Sequence, residues 1–307
     1  MLELPKVYVV VGPTASGKSA AGLGLARQLE GEVICADSRT IYRGMDIGTA
    51  KPVGERDWGV GSLGAERPLM VEGVPHWGVD LIEPSDSYSA RDFQQYADLK
   101  IADILSRGRV PILVGGTGLY VRAVMDRPTF SEVEPHLDWR AEFAGRSLED
   151  LLNELDDRDP LARESLDVKN RRRVERALEI VRATAGPLAL QRTNHPPLYE
   201  GEWLGVDPGK EVVEERLEER LNGMVADGLV DEVRSLIAVY GVEAPGLQTI
   251  GYQEFLPFFR GETSLKEVLA AIRQHTKDYA KRQRTWWRKD QRITWFTEAK
   301  DLLKYGV

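Results

Sequence analysis

The chain has 307 residues, of which 42% are hydrophobic and 29% are charged, and its formal net charge is −8. This composition is ordinary for a soluble globular protein with a full core, built as one large domain or as a domain with an insertion. No apolar run approaches the ~18 residues that would span a membrane, and the N-terminus lacks the pattern of a signal peptide. The lone cysteine, Cys35, excludes a disulfide framework and a cysteine-based zinc site. We therefore expect a cytoplasmic protein with no membrane partner.

Short apolar runs indicate four buried parallel strands, at residues 7–12, 32–37, 110–116 and 203–207. Helical patterns alternate with them, which is typical of an α/β sheet. The first helix follows the first strand and ends at Gly31, and the next covers 87–108. The buried face of this second helix is predicted to carry Phe93, Ala97, Ile101 and Leu105, behind a capping pair of Ser89 and Asp92.

The pattern changes over residues 126–199, where charged helical stretches replace the strand candidates. We interpret this segment as a helical insertion in a core formed by residues 1–125 and 200–307. The C-terminal third is predicted to be helical, with a long final helix near 264–289. The expected fold class is a P-loop NTPase-like α/β core, its parallel sheet flanked by helices, with a helical insertion domain.

The stretch GPTASGKS, between the first strand and the first helix, matches the phosphate-binding pattern G-x-x-x-x-G-K-[ST]. Its glycines let the backbone turn N–H groups toward an oxyanion, and the helix adds its positive end. Lys18 supplies a charge to the distal phosphate, and the Ser19 hydroxyl is a natural Mg²⁺ ligand. The alternative is a glycine-rich turn, and the loop alone does not distinguish a triphosphate from a diphosphate. The predicted diphosphate- or nucleotide-binding residues are Gly12, Pro13, Thr14, Ala15, Ser16, Gly17, Lys18 and Ser19.

Two polar residues follow later strands, Asp37 after the second and Thr117 in the turn GGTG. Ligands of open α/β sheets bind at the carboxyl ends of the strands, so both side chains should meet the phosphate loop in one crevice. From its position alone, Asp37 is equally a Mg²⁺ ligand, a proton acceptor or a helix cap, and Thr117 is equally a ligand contact or a turn residue. The long polar loop over 42–52 is predicted to be functional.

The motifs together resemble the tRNA dimethylallyltransferase family, also called tRNA isopentenyltransferases, in its bacterial form without a zinc finger. The matching segments are GPTASGKS, ADSRTIYRGMDIGTAKP, DSYSARDF, PILVGGTGLY, RRRVERALEI, GLVDEVRSL, GLQTIGYQEF and YAKRQRTWWR, which span about residues 7–288. The resemblance implies transfer of a dimethylallyl group from dimethylallyl diphosphate to N6 of the adenine on the 3′ side of the anticodon. The tRNAs concerned read codons that start with U.

The resemblance also implies the residue roles. The loop would hold the diphosphate of the donor, Asp37 would be the general base, Thr117 would position the adenine, and Arg220 would lie near the diphosphate. Arg216, one helical turn before Arg220, could share its helix face. From the residues alone, a solvated charged helix is the favoured alternative for both arginines. The implied cofactor is Mg²⁺ on Ser19, and the partner is a tRNA anticodon stem-loop. The tRNA-binding residues are expected to be Asp37, Ser38, Arg39, Thr40, Thr117, Trp139, Arg171, Arg172 and Arg173.

Two segments are locally basic despite the acidic total: residues 169–176, with the triple arginine 171–173, and residues 273–292, with interleaved aromatic residues. Basic residues with aromatics suit an RNA loop, whereas an amphipathic helix with core tryptophans is the alternative for Trp286 and Trp287. The sequence departs from the family at Thr40, Trp77 and Gln253. A small-molecule or nucleotide kinase and a nucleotide-binding regulatory module are the rival functions. We expect a monomer, from the resemblance.

Overall fold

A computed structural model of the chain describes residues 3–55, 66–184, 186–188 and 194–304. The chain divides into two compact units, one formed by Met1–Met125 with Leu198–Val307 and the other by Asp126–Pro197. Among the described residues, no helix is both long enough and apolar enough to cross a membrane.

The first unit is built around a seven-stranded sheet in the order β3-β4-β2-β5-β1-β6-β7. Its strands are β1 (Lys6–Val11), β2 (Glu32–Cys35), β3 (Leu69–Val71), β4 (Val74–Trp77), β5 (Pro111–Gly115), β6 (Glu200–Val206) and β7 (Thr294–Phe296). Strand β3 pairs antiparallel with β4, and every other pairing is parallel. The central strands β2 and β5 are buried along their whole length, because helices cover both faces of a parallel sheet.

The α-helices are α1 (Lys18–Gln28), α2 (Ala90–Ser106), α3 (Gly118–Asp126), α4 (Leu137–Ala144), α5 (Leu148–Arg158), α6 (Arg171–Thr184), α7 (Lys210–Ala226), α8 (Leu229–Tyr240), α9 (Leu256–Phe259), α10 (Leu265–Trp287) and α11 (Ala299–Leu302). Short 3₁₀ turns cover Ala162–Ser165, Pro245–Gln248 and Gln253–Phe255. The predicted α/β class with a mainly parallel, helix-flanked sheet is thereby confirmed.

Helix α2 shows how local sequence sets an element. Its N-terminus is a capping box in which Ser89 and Asp92 exchange hydrogen bonds, as predicted. The buried face carries Phe93, Ala97 and Ile101, and then Ile104 in place of the predicted Leu105. A spacing of four drifts off the buried face after a few turns, because the helix has 3.6 residues per turn.

One apolar cluster of the first unit packs α7, α8 and α10 against the chain that follows β2. Its side chains include Ile41, Met45, Leu221, Leu229, Val233, Tyr252 and Ile272. This cluster fixes three helices beside the segment that leaves the carboxyl end of β2. The helices added after the sheet are therefore anchored next to the strand ends where ligands bind.

The second unit packs α4, α5 and α6 around its own apolar core, which includes Phe143, Leu151, Leu155, Val174 and Leu178. Its fully buried carboxylate, Glu179, accepts hydrogen bonds from Arg140, Arg176 and the backbone of His136. Burial of a charge is costly unless it is paired, and these donors compensate it.

Candidate active site at the carboxyl edge of the sheet

Three neighbouring strands deliver the predicted site residues to one edge of the sheet. The order β2-β5-β1 places the ends of these strands side by side. The turn after β5 is tied directly to the turn after β2, because Thr117 Oγ1 accepts a hydrogen bond from Ser38 N–H (3.1 Å) and Thr117 N–H donates to Ala36 O (3.2 Å). The hydroxyl of Thr117 also donates to Ser38 Oγ (3.4 Å).

The loop after β1 adopts an anion-binding shape. Ala15 and Gly17 lie in the left-handed region, with φ of 59° and 97°. A Cβ on Gly12 would lie 2.3 Å from the carbonyl oxygen of Val206, so only glycine fits there. Within the described residues, the N–H groups of Ala15, Gly17 and Ser19 make no hydrogen bond. These free donors lie at the positive end of α1, where an anion is stabilised.

Lys18 carries the positive charge of the loop. Its Nζ donates to the carbonyl oxygen of Pro13 (3.2 Å). Burial lowers the pKa of Lys18 to about 8, the carboxylate of Asp37 opposes this shift, and the guanidinium of Arg220 adds to it. Lys18, Asp37 and Arg220 line the same pocket.

Helix α7 turns two arginines toward the loop from one face. Arg216 donates to the carbonyl oxygens of Ala15 (3.3 Å) and Ser16 (3.1 Å), and Arg220 donates to the hydroxyl of Thr14 (3.4 Å). Arg216 thus binds the loop itself. Arg220 also lines a pocket beside the loop. Burial lowers the pKa of Arg220, and the negative charge of Asp37 partly opposes this shift.

Asp37 serves its own turn and the pocket together. Its Oδ1 accepts a hydrogen bond from Arg39 N–H (2.9 Å), which closes a tight turn after β2. The Thr40 hydroxyl donates to the Asp37 carbonyl oxygen at 3.5 Å. The side chain also lines the pocket beside Lys18. No helix begins at Asp37 in the described part of the chain, so its side chain closes a turn and is not a helix cap. The bond to Arg39 leaves carboxylate capacity for a ligand.

A pocket of about 350 Å³ joins the charged groups to an apolar region. Its charged lining residues are Lys18, Asp37 and Arg220. Its apolar lining comes from α1 and the neighbouring strands, through Leu23, Val33, Cys35, Val71 and Val114. A smaller pocket adjoins the first and shares Thr14, Thr49, Ala50 and Arg220 with it. The arrangement suits an anion that carries a short hydrocarbon group.

The polar loop over 42–52 is held in place by its own charges and by α8. The side chain of Lys51 is only 6% exposed, and it forms ion pairs with Asp46 and Asp80. The carboxylate of Glu232 accepts the backbone N–H groups of Asp46 (2.9 Å), Ile47 (2.8 Å) and Gly48 (3.0 Å), and the hydroxyl of Tyr252 (2.6 Å). The loop therefore presents Thr49 and Ala50 to both pockets in a fixed conformation.

One face of α10 covers the phosphate loop and the GGTG turn. Arg39 stacks on the ring of Tyr279 at 4.3 Å, Gln283 bonds to both loops, and Trp286 packs against Gly118. These three residues recur at i, i+4 and i+7, which places them on one helix face. Trp287 is fully buried, as in the core interpretation.

Ion pairs within the first unit engage much of the basic stretch 273–292. Arg273 pairs with Glu218, Lys277 with Glu214, and Arg284 with Asp207; Arg292 pairs with Asp290. Glu214 and Glu218 lie on α7, Asp207 follows β6, and Asp290 lies in the turn between α10 and β7. The basic pattern here therefore reflects in large part the attachment of α10 to its neighbours.

The predicted tRNA residues of the second unit divide into two kinds. Arg171 is engaged by Glu175 and by the carbonyl oxygens of Arg146 and Phe143, whereas Arg172 and Arg173 are exposed. In the described part of the chain, neither of these two guanidinium groups has a hydrogen bond or ion pair. Trp139 stacks on His136, with ring centroids 4.2 Å apart.

The residues present fit a divalent cation bound together with a phosphate. Ser19 is exposed at the loop and lines the pocket, and hydroxyl, carboxylate and phosphate oxygens are the hard ligands that Mg²⁺ prefers. No cluster of three or more His, Cys, Asp or Glu side chains suited to a metal occurs among the described residues. Phosphate oxygens would therefore supply part of the coordination.

The structure also reveals site-supporting residues that the sequence analysis missed. Glu232 and Gln283 contact loops that lie 184 and 269 residues away in the chain. Their segments, GLVDEVRSL and YAKRQRTWWR, belong to the resemblance, and the second also lies in the basic stretch 273–292, but neither pattern pointed to these two residues. The available signal was the helical spacing of Tyr279, Gln283 and Trp286, which predicts a shared face but not what that face contacts.

Comparisons with known proteins agree with this geometry. The sequence model of the IPP transferase family matches residues 40–290. A tRNA dimethylallyltransferase of Geobacillus thermodenitrificans is 39% identical over 308 residues, covering 98% of this chain and 93% of the relative. One of Acaryochloris marina is 38% identical over 301 residues, with coverage of 97% and 95%.

Solved structures agree as well. The full-length tRNA isopentenylpyrophosphate transferase from Bacillus halodurans has a TM-score of 0.70 at 35% identity, covering 97% of this chain and 93% of that one. A eukaryotic dimethylallyltransferase acting on tRNA has a TM-score of 0.77 at 25% identity, with coverage of 98% and 75%. Because the family match spans most of the sequence and the relatives align over nearly its full length, the chain belongs to the IPP transferase family.

Proposed function

We propose that this protein transfers a dimethylallyl group from dimethylallyl diphosphate to N6 of the adenine beside the anticodon of a tRNA. The observation that carries the proposal is the single pocket that joins Lys18, Asp37 and Arg220 to an apolar region. A diphosphate with a five-carbon tail has the same two-part character. The family and its curated tRNA-modifying relatives support the choice of acceptor.

The loop and the helix arginine stabilise the leaving group. As the bond between C1 of the donor and its bridging oxygen breaks, the electron pair goes to the diphosphate, which gains negative charge. The free N–H groups of Ala15, Gly17 and Ser19 and the cations of Lys18 and Arg220 are positioned to meet that charge. The diphosphate leaves whole, and no phosphoryl group is transferred.

Asp37 receives the proton that the adenine amine releases when the new N6–C1 bond forms. The lone pair of that amine is delocalised into the ring, so a nearby carboxylate raises its reactivity as the proton leaves. Thr117 lies in the adjoining turn and orients the base. The contact of Thr117 with Ser38 ties these two turns together.

A Mg²⁺ ion is the expected cofactor, held by the Ser19 hydroxyl together with diphosphate oxygens. When bound, such an ion neutralises developing charge on the leaving group. Activity is therefore expected to be lost on treatment with a chelator and restored by added Mg²⁺.

The tRNA anticodon stem-loop is expected to bind the second unit through the exposed Arg172 and Arg173, with Trp139 as a further predicted contact. Ser38, Arg39 and Thr40, next to Asp37, are proposed to contact the target base after it leaves the stack. Arg171 also supports the end of α4, because its guanidinium group donates hydrogen bonds to carbonyl oxygens there.

The experiment that tests the proposal compares the unaltered protein with Asp37→Asn. Purified protein, Mg²⁺, dimethylallyl diphosphate and unmodified tRNA are incubated, and digested tRNA is analysed for isopentenyladenosine. The asparagine oxygen can still accept the Arg39 N–H, so the turn should survive, whereas loss of the proton acceptor should reduce single-turnover rates about 100-fold or more.

Asp86→Asn is the matched control, because Asp86 also accepts a backbone N–H, from Glu83 at 3.2 Å, but lies outside both pockets. It should retain full activity. Absence of product from the unaltered protein would contradict the proposal. Formation of ADP in a parallel incubation with ATP and a small acceptor would favour the kinase alternative.

A further inference from the structure

A single buried side chain connects the phosphate loop to the turn that carries Thr117. Oε1 of Gln283 accepts a hydrogen bond from Thr14 N–H at 2.8 Å, and its Nε2 donates to Gly116 O at 2.9 Å. The side chain is 5% exposed. Both polar ends of the amide are therefore satisfied, one by each loop.

The fit around this side chain is close. A Cβ added at Gly116 would lie 2.3 Å from Nε2 of Gln283, so this turn needs a glycine where the amide arrives. The next residue, Arg284, forms a two-bond ion pair with Asp207 at the end of β6, with distances of 2.8 and 2.7 Å. Helix α10 is thus fixed to the sheet at the very turn from which Gln283 extends.

The loop and the Thr117 turn otherwise belong to different strands. The loop follows β1, whereas the Thr117 turn follows β5 and is bonded to the turn of Asp37 after β2. Relative displacement of these segments would change the distance between the leaving group and the acceptor amine. Misplacement of reacting groups by about 1 Å can cost on the order of 100-fold in rate.

We propose that Gln283 is a positioning residue for the transfer reaction, which holds the diphosphate loop and the base-binding turn in one register. The inference rests on the proposed function. Because Gln283 acts through these two loops, its loss affects the chemical step more than the binding of the donor.

The test measures kcat and KM for dimethylallyl diphosphate with saturating tRNA. Gln283→Leu is expected to lower kcat about 10- to 100-fold, with a nearly unchanged KM, because the free loop donors and Lys18 remain. Val268→Ala on the same helix is the matched control: it truncates a buried side chain away from both loops, and should lower the melting temperature while kcat is retained.

Gln283→Glu keeps one of the two hydrogen bonds and removes the other. The carboxylate can still accept Thr14 N–H, but it places an acceptor against the Gly116 carbonyl, so kcat should fall here as well. A wild-type kcat for either Gln283 variant would overturn the inference, provided that the unaltered protein makes product. Absence of product from the unaltered protein would overturn the proposed function and the inference with it.

A double-mutant cycle tests the contact itself even if activity is low. Gly116→Ala should destabilise the unaltered protein more than it destabilises Gln283→Ala, since the shorter side chain removes the overlap. Equal destabilisation in both backgrounds would show that the amide does not set the conformation of the turn, and would overturn the inference.

Discussion

Replacement of Glu232 by glutamine should loosen the loop over 42–52 at a cost that the bonding geometry defines. Oε2 of Glu232 accepts the N–H groups of Asp46 and Ile47, and Oε1 accepts Gly48 N–H and the hydroxyl of Tyr252. Burial, reinforced by Glu232, raises the pKa of Tyr252 far above its usual range, so its hydroxyl remains a donor.

An amide supplies one oxygen in place of two. In the better orientation of Glu232→Gln, the amide oxygen keeps the two N–H groups of Asp46 and Ile47, and the NH₂ group faces Gly48 N–H and Tyr252. The tyrosine hydroxyl can turn to accept, but Gly48 N–H loses its acceptor. An unsatisfied buried donor costs about 1–3 kcal/mol. Because Gly48 is only half-buried, we expect a loss of about 1–2 kcal/mol in the free energy of unfolding.

Urea denaturation followed by circular dichroism measures this loss, with Asp231→Asn as the control. Asp231 is the neighbouring residue, and its exposed ion pair with Arg234 should contribute less than about 1 kcal/mol. Because Thr49 and Ala50 line both pockets, Glu232→Gln should also lower kcat/KM at temperatures where the protein is folded. Equal stability of the two variants would refute the reasoning.

Two further predictions concern charge. The donor kcat/KM should fall as the pH rises above about 8, the pKa to which burial lowers Lys18, because the free enzyme binds an anion with the protonated amine. Lys18→Arg should remove that fall, since a guanidinium stays charged; a decline at the same pH in both proteins would contradict the assignment. Replacing Arg172 and Arg173 by alanine should reduce the slope of log affinity for tRNA against log salt by about 1.5. The control changes Arg158 and Arg163, which are ion-paired, to alanine together, and this double variant should alter the slope less. Equal slopes for the two double variants would argue against an RNA contact.

Features set by local sequence could be predicted, and the structure shows why. The phosphate loop and the Ser89–Asp92 capping box depend on residues within a few positions of one another. Strand β2 and the buried half of β6, residues 203–206, show short apolar runs and were predicted. Strand β4 has four residues and β3 and β7 have three each, too few to show a period, and all three were missed.

Features set by tertiary contacts could not be predicted in the same way. The sequence shows that Arg171 is basic, but only the fold shows that it binds carbonyl oxygens at the end of α4. The loop residues that Glu232 and Gln283 bind lie more than half the chain away from them. Helical periodicity identifies a buried face, and the identity of the opposing surface depends on the packing of the whole unit.

The helices that follow β6 give the phosphate loop its specific environment. A loop of this kind binds an oxyanion in many proteins, and its own sequence does not choose between a triphosphate and a diphosphate. Here Arg216 of α7 donates hydrogen bonds to carbonyl oxygens of the loop, and Arg220 of the same helix lines the pocket. Helix α8 fixes the polar loop through Glu232, and α10 takes the N–H of Thr14 through Gln283.

Each of these contacts comes from a segment far from the loop in sequence, and each meets the loop or the edge of its pocket. These contacts leave the backbone N–H groups of the loop nearest to α1 free for an anion. The turns of Asp37 and Thr117 are held next to the loop. A variant of α7, α8 or α10 can therefore alter the reaction without changing any residue of the phosphate-binding motif.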